Sequence, residues 1–310
     1  METKKFLKAH LDLFRYTLGI LSSLAVLVAG FIVYVLNGAT PNFLTFIFNN
    51  GVLEFSGLIL GLIATILLTF AIESINDYFD VTTDIANRRF DRPLARGDLN
   101  RQYVLFFSIV LFFIPLSLIT FLVVYYNVTP FLFFFTCFCI FIGIGYNFIK
   151  TTGFIGNIWV SIGYVAPLFI GFFLIEPKEE ISLYTCFLII LTSFFLAIGR
   201  EIVKDIQDYE GDRQSNLHSL AVRIGPRKAG VIASFLFVLV FLCGFLVGFF
   251  VYKNLIFWLF WFCIMFILGL TIYTIMTEEP AIGGKKTRKY TRWSLWWSLA
   301  AFFLGVMFIP

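Results

Sequence analysis

Two acidic segments of this 310-residue chain share the same internal spacing. The carboxylates of the first are Glu73, Asp77, Asp80 and Asp84, and those of the second are Glu201, Asp205, Asp208 and Asp212. Each set advances by 4, 3 and 4 residues, which places its side chains along one face of a helix. The two sets lie 128 residues apart, and Gly97 recurs as Gly225 at the same offset. The pattern indicates an internal duplication.

Carboxylates stacked on one helix face repel one another, so a cation is expected between them. Magnesium takes oxygen ligands and bridges one or two carboxylates to substrate phosphates. Arginine and lysine, which bind phosphate oxygens, accompany both segments: Arg88, Arg89, Arg92 and Arg96 follow the first, and Arg200, Lys204, Arg213, Arg223, Arg227 and Lys228 flank or follow the second. The pattern predicts a metal-dependent polyphosphate site. The alternative is two solvated runs of charge.

The composition places these segments in a membrane protein. Hydrophobic residues make up 60% of the chain, charged residues 14%, and the mean hydropathy is +0.91. Nine apolar stretches are long enough to cross the roughly 30 Å of bilayer hydrocarbon; they lie near residues 13-36, 53-75, 103-126, 128-149, 154-175, 182-199, 230-252, 254-276 and 292-309. The cysteines fall within these stretches without a CxxC pair, so neither a disulfide nor a metal role is expected for them.

The basic residues predict the orientation of the chain. With nine spans, 21 of the 23 lysines and arginines lie on the side of the N-terminus, and only Lys178 and Lys253 lie on the other. By the positive-inside rule, the acidic segments 76-102 and 200-229 then form cytoplasmic loops of a multi-pass protein of the cell membrane. Because topology explains the basic residues, the net charge of +4 does not indicate a nucleic-acid partner.

Four short motifs resemble those of one family. Residues 76–84, NDYFDVTTD, resemble the NDxxDxxxD motif of the UbiA superfamily of intramembrane prenyltransferases, and residues 205–212 resemble its DxxDxxxD motif. Arg92 and Pro93 with Gly97 are similar to the family's RPxxxG stretch, and Tyr146 with Lys150 is similar to its YxxxK motif. The resemblance covers essentially the whole chain.

The resemblance implies an all-α, nine-helix membrane bundle in a single domain, residues 1-310. Two four-helix halves, about 13-150 and 154-276, would be followed by a ninth helix. The implied partners are an isoprenyl diphosphate donor, a lipid or aromatic acceptor and the membrane lipid itself, with Mg²⁺ as cofactor. The donor would lie with its chain in an apolar cavity and its diphosphate at the cytoplasmic mouth.

Site residues follow from the motifs and the surrounding charges. Metal binding and catalysis are expected of Asp77, Asp80, Asp84, Asp205, Asp208 and Asp212. Substrate binding is expected of Asn76, Arg88, Arg92, Arg96, Tyr146, Lys150, Asn157, Lys204 and Arg213, with Arg92 and Lys204 as the main diphosphate clamps. Asn157, Ser161 and Tyr164 form a polar stripe that must face protein or a cavity. Glu73 and Glu201 are expected to brace basic groups.

The acceptor is the open question at this stage. The second motif, REIVKDIQDYEGD over residues 200–212, most resembles family members that transfer a geranylgeranyl group to geranylgeranylglyceryl phosphate, with formation of an ether bond. Part of this form is shared with aromatic prenyltransferases of quinone and chlorophyll biosynthesis, which remain the alternative. A cation-binding transporter is a more distant alternative, because transporters often contain internal repeats. Acids at one membrane face rather than at the midplane favour an enzyme.

Overall fold

The computed structural model describes residues 2–48, 53, 55–86, 89–214 and 217–309, and no β-strand occurs among them. The described chain folds into α-helices joined by short connections, with one π-helical segment, Val247–Tyr252. The helices are α1 Glu2–Phe14, α2 Tyr16–Leu36, α3 Phe43–Phe48, α4 Phe55–Ala86, α5 Arg101–Tyr125, α6 Phe131–Ile149, α7 Phe154–Ile175, α8 Glu180–Gln207, α9 Tyr209–Gln214, α10 Leu220–Ile224, α11 Pro226–Leu246, α12 Leu255–Thr277 and α13 Pro280–Met307.

Eight helices of the described chain are long and apolar enough to cross a membrane. They are α2, α4, α5, α6, α7, α8, α11 and α12. The span formed by α11 includes the π-helical segment that follows it. The ninth predicted span, 292-309, coincides with the C-terminal part of α13, which ends at Met307 and packs against α12 and α8. The N-terminal half of α13 is rich in lysine and arginine, as its sequence PAIGGKKTRKYTR indicates, so its hydropathy is lower than that of the other eight.

The two acidic segments are more helical than the predicted loops 76-102 and 200-229. Helix α4 continues to Ala86, so the whole first acidic set lies on one helix. Helix α8 ends at Gln207, and Asp208 is its C-terminal cap. The prediction that the second set shares one helix is therefore wrong for its last two members. The backbone of Asp208 is no longer helical, with ψ of 3°, and Asp212 belongs to α9.

Equivalent turns lead into the helices that follow the two acidic segments. Gly97 precedes α5 and has φ of 77°, and Gly225 precedes α11 and has φ of 87°. Both values lie in the left-handed region that glycine adopts without steric cost. Asn100 then caps α5 by accepting a hydrogen bond from the Gln102 backbone N–H, whereas α11 begins with Pro226 at its first position.

Helix packing brings the two acidic segments to the same end of the bundle. Helix α4 packs against α2, α5 and α6, and α8 packs against α7, α11 and α13. The contacts of α2 with α7 join the two halves, because α2 belongs to the first and α7 to the second. The C-terminal ends of α4 and α8 thus face a shared space, with the N-terminal end of α2 beside them.

Candidate active site

The first acidic set is neutralised by basic residues from outside its helix. Arg15, which separates α1 from α2, donates a hydrogen bond of 2.6 Å from Nη2 to Asp77 Oδ1 and also forms an ion pair with Glu73. Arg92 Nη1 lies 3.4 Å from the same Asp77 oxygen. Asp77 is 1% exposed, and a buried carboxylate requires such partners.

The next turns of α4 continue the pattern. Lys150, the C-terminal cap of α6, forms an ion pair with Asp80. Asp84 is buried, and its Oδ1 lies 3.7 Å from Nη1 of Arg89. Each predicted aspartate of the first motif therefore has a described cationic neighbour.

The second acidic set is held by a different mixture of groups. Asp205 Oδ2 accepts hydrogen bonds from Asn157 Nδ2 at 2.9 Å and from the Leu220 backbone N–H at 3.1 Å. Glu201 is buried and pairs with Lys204 at 3.3 Å and with Arg200 at 3.6 Å. Asn157 thus links α7 to the carboxylate that opens the second motif.

Electrostatic contacts across the shared space connect the two halves. Tyr146 of α6 interacts with Lys204 and Glu201 of α8 and also with Asp80 of α4. Tyr164 of α7 interacts with Arg15 and lies beneath the Arg200 guanidinium, whose Cζ is 5.2 Å from the centre of the ring. We call this set the mouth cluster: Arg15, Glu73, Asp77, Asp80, Arg92, Tyr146, Lys150, Asn157, Tyr164, Arg200, Glu201, Lys204 and Asp205.

Burial shifts the acidity of groups at the rim of the mouth cluster. The pKa of Asp212 is raised, chiefly because burial disfavours its charged form, and the nearby negative charge of Asp208 acts in the same direction. The pKa of Arg92 is lowered by burial and by the nearby charge of Arg15. Both shifts reflect charged groups held close together with limited access to water.

Oxygen atoms in the mouth cluster and directly beside it suit a hard divalent cation. Asn76 Oδ1 and Asp77 Oδ2 are buried without a hydrogen-bond partner. Within the described part of the chain, no three acidic, histidine or cysteine side chains are arranged around a common metal position. Magnesium needs only one or two carboxylates when phosphate and water complete its shell. The residues therefore fit a metal that arrives with a diphosphate better than a permanent all-protein site.

Not every predicted residue lies in the mouth cluster. Asn76 and Asp84 lie beside it on α4, and Asp212 lies on α9. Arg88 is outside the described residues. Arg96 is exposed and is bound by Asp98 and, at 2.8 Å, by Asp12, neither of which belongs to an acidic motif. Arg213 is also exposed, on α9, and Asp208 is half-buried at the end of α8.

Arg15 was not predicted as a site residue. It is 62 residues from Asp77 in sequence, and its backbone is left-handed, with φ of 45° and ψ of 54°. The available signal was its position as a basic residue just before the first long apolar stretch, on the same side as the acidic segments. The sequence pattern identifies Arg200 only as a charge that flanks the second motif and Tyr164 only as part of a polar stripe.

Comparison with known proteins connects this geometry to one family. The model of the UbiA prenyltransferase family matches residues 39–299. Digeranylgeranylglyceryl phosphate synthase of Saccharolobus solfataricus is 33% identical over 258 residues, covering 82% of this chain and 86% of that protein. The protein of the same name from Archaeoglobus fulgidus is 31% identical over 236 residues, covering 76% and 72%.

Solved structures share the fold. A structure of digeranylgeranylglyceryl phosphate synthase superposes with a TM-score of 0.75 at 20% identity, covering 97% of this chain and 99% of that one. A UbiA homologue from Archaeoglobus fulgidus bound to DMAPP and Mg²⁺ superposes with a TM-score of 0.63 at 16% identity, covering 94% and 98%. At these identities the likeness establishes the helical architecture.

Proposed function

Because the chain belongs to the UbiA prenyltransferase family, we propose that it transfers a geranylgeranyl group from geranylgeranyl diphosphate to geranylgeranylglyceryl phosphate, forming an ether bond. The chain is a multi-pass membrane protein and a prenyltransferase, and this class of enzyme replaces the transporter alternative. The observation that carries the proposal is the mouth cluster, where both acidic segments and the cations of several helices face one space.

The mouth cluster supplies the groups that a diphosphate donor needs. We assign Mg²⁺ binding to carboxylates of both motifs, with Asn76 and Asp77 contributing the buried oxygens that lack partners. When bound, the metal neutralises the diphosphate and so makes it a better leaving group. Arg92 and Lys204 would hold phosphate oxygens directly, and Arg15 and Arg200 add positive charge to the same space.

The reaction breaks the bond between the allylic carbon of the donor and its diphosphate oxygen. The acceptor hydroxyl oxygen forms a new bond to that carbon, so that an ether, diphosphate and one proton result. Positive charge on the allylic group must be protected from water before the acceptor attacks. The apolar helices below the mouth cluster provide that environment, and the Tyr146 and Tyr164 rings lie where the apolar and charged regions meet.

The acceptor assignment rests on the curated relatives and on the basic character of the mouth cluster. A phosphorylated acceptor needs cationic partners beyond those that hold the donor. Lys150 is suited to this role because it lies on a different helix end from both acidic motifs. In the structure Lys150 forms an ion pair with Asp80, one of the carboxylates that would hold the metal. By the positive-inside rule, we place the mouth cluster on the cytoplasmic face of the cell membrane.

Metal dependence is tested by removing carboxylates and the metal separately. Asp80→Ala and Asp208→Ala are each expected to abolish turnover while the protein still purifies as a folded monodisperse species, and EDTA should abolish it reversibly. Glu180→Ala is the matched control, since Glu180 is an exposed acid at the opposite end of α8. Full activity of the native chain in EDTA would rule out the metal assignment.

Acceptor identity is tested with purified protein, labelled geranylgeranyl diphosphate, magnesium and a panel of acceptors. Geranylgeranylglyceryl phosphate should yield a labelled ether lipid, whereas 4-hydroxybenzoate and homogentisate should not react. Prenylation of either aromatic acid without the glycerol phosphate lipid would replace the proposal with the quinone alternative.

A further inference from the structure

A second basic cavity lies outside the mouth cluster, between α8 and α13. It has a volume of about 470 Å³ and is lined by Gln207, Arg288, Lys289 and Arg292. Gln207 is the last residue of α8 and directly precedes Asp208, but its side chain faces α13 rather than the acidic groups of the mouth cluster. None of the residues assigned to metal binding or to donor binding lines this cavity.

The charges of the cavity are unbalanced. Over the described ranges, no carboxylate lies within ion-pairing distance of Arg288, Lys289 or Arg292. Lys289 Nζ instead lies 5.7 Å from the ring centre of Trp293. Three cations around one cavity repel one another, and a single anion would relieve that repulsion.

Gln207, one of the residues that line the cavity, carries a polar atom that lacks a partner. Gln207 Oε1 is buried and accepts no hydrogen bond. The two helices lie very close together here, because a Cβ on Gly284 would lie 2.6 Å from the Gln207 Cα. A buried amide oxygen without a donor is costly, and a ligand hydroxyl would satisfy it. The cavity thus offers cations for an anion and an acceptor for a neighbouring hydroxyl.

The depth of the cavity matches the lipid headgroup region. Trp293 and Trp296 follow it on α13 and are 53% and 47% exposed. Tryptophan concentrates at membrane–water interfaces, and basic pockets between transmembrane helices at that level suit anionic lipid headgroups. We propose that the α8–α13 cavity binds the phosphate of a glycerophosphate lipid, with a headgroup hydroxyl donating to Gln207.

The proposal is tested by lipid titration of the full-length protein in a neutral detergent, with bound lipid measured by native mass spectrometry. The native chain should retain phosphatidylglycerol in preference to phosphatidylcholine. The double variant Arg288→Gln/Arg292→Gln should weaken phosphatidylglycerol binding by roughly tenfold or more, since it removes two charge-assisted contacts. The matched control is Arg227→Gln/Lys228→Gln, which removes the same charge from exposed residues at the start of α11.

The control separates a defined site from general attraction between positive protein and negative lipid. Binding that survives in the Arg288/Arg292 variant, or that falls equally in the control, would overturn the proposal. Gln207→Leu provides a second test without any change of charge. It should weaken phosphatidylglycerol more than phosphatidic acid, because only the former has free headgroup hydroxyls; equal effects would remove Gln207 from the site.

The same phosphate could belong to a resident phospholipid or to the prenyl acceptor. Activity in nanodiscs of phosphatidylcholine alone distinguishes these sources. If the acceptor uses the cavity, the Arg288/Arg292 variant raises the acceptor KM roughly tenfold in these nanodiscs while the donor KM is unchanged. If a resident lipid uses it, the acceptor KM is unchanged and only phosphatidylglycerol retention is lost. A variant unchanged in both measurements contradicts the proposal, whatever acceptor the enzyme uses.

Discussion

At the scale of single residues, the site contains carboxylates that are held by cations or hydrogen-bond donors distant from them in sequence. Asp77 is paired with Arg15, Asp80 with Lys150, and Asp205 with Asn157. These partners stabilise the charged form of carboxylates that have limited access to water, above all Asp77, which is buried. Each contact could serve the stability of the protein or its catalytic activity. Substituting one member of a pair distinguishes the two roles.

Arg15→Gln should destabilise the protein because it leaves Glu73 and Asp77 with less positive charge. Removing one partner of a buried ion pair costs about 3 to 5 kcal/mol. The Arg15 side chain is 26% exposed, which places the expected loss at the low end. Adding Asp77→Asn should recover part of the lost stability. The interaction free energy between the two substitutions should be roughly 1 kcal/mol or more. Thermal unfolding in detergent measures both effects, and additive losses in the double variant would show that the pair is not coupled.

Lys150→Ala should weaken acceptor binding. A charge-assisted hydrogen bond contributes about 1.5 to 3 kcal/mol, so productive acceptor binding should fall roughly tenfold to a hundredfold. The acceptor KM should rise with the donor KM nearly unchanged. Lys253→Ala is the control, because Lys253 lies in the connection on the opposite side of the membrane. A change in the donor KM alone would place Lys150 in the diphosphate site.

At the scale of elements, the two acidic helices are each followed by a turn that redirects the chain into the next membrane helix. Gly97 and Gly225 have positive φ angles in these turns. Neither has a neighbouring atom that a Cβ would meet, so steric crowding is not the reason for glycine. Backbone conformation is the reason, and it makes a specific prediction about alanine at these positions.

Gly97→Ala is expected to destabilise the protein by about 1 to 2 kcal/mol, the usual cost of left-handed geometry for a residue with a Cβ. Gly269→Ala is the control. Gly269 is helical and has equally open surroundings, so this variant should be no less stable than the native protein. The midpoint of thermal unfolding compares the two variants. Equal midpoints would mean that the turn relaxes to accommodate alanine.

At the scale of the whole molecule, the chain presents a strongly basic end that carries the mouth cluster and the α8–α13 cavity. Lys178 and Lys253 lie in the connections at the other end. This asymmetry favours insertion with the basic end in the cytoplasm. The mouth cluster and the α8–α13 cavity would then both bind phosphorylated ligands from the same side of the membrane.

Single cysteines placed in the connections 86–99 and 214–228 should be modified by a membrane-impermeant thiol reagent only in inside-out vesicles. A cysteine at Lys178 or Lys253 should show the reverse pattern. The native cysteines are replaced by alanine beforehand, because Cys137 and Cys263 are exposed on the helix surface. Modification of the 86–99 cysteine in right-side-out vesicles would reverse the assigned orientation.

Much of the molecule was accessible from the sequence because the determining signals are local. Apolar length predicted the membrane helices, and Phe154–Ile175 was bounded correctly by composition alone. The 4, 3 and 4 spacing predicted the shared face of the first acidic set on α4. Hydropathy, in contrast, assigned residues 76-102 to a loop, because it falls at the membrane surface while the backbone hydrogen bonds of α4 continue to Ala86.

Tertiary structure alone decided which charges meet. Arg15 reaches Asp77 across 62 residues, and Lys150 reaches Asp80 across 70, so neither pair has a sequence spacing that predicts it. The α8–α13 cavity likewise joins Gln207 to residues more than 80 positions later. Hydrophobic periodicity determines how each helix faces the bundle, whereas the partner across the bundle depends on how helices pack and where connections break them. The sequence therefore determined the chemistry available at the membrane face, and only the packed bundle determined how the charges are paired there.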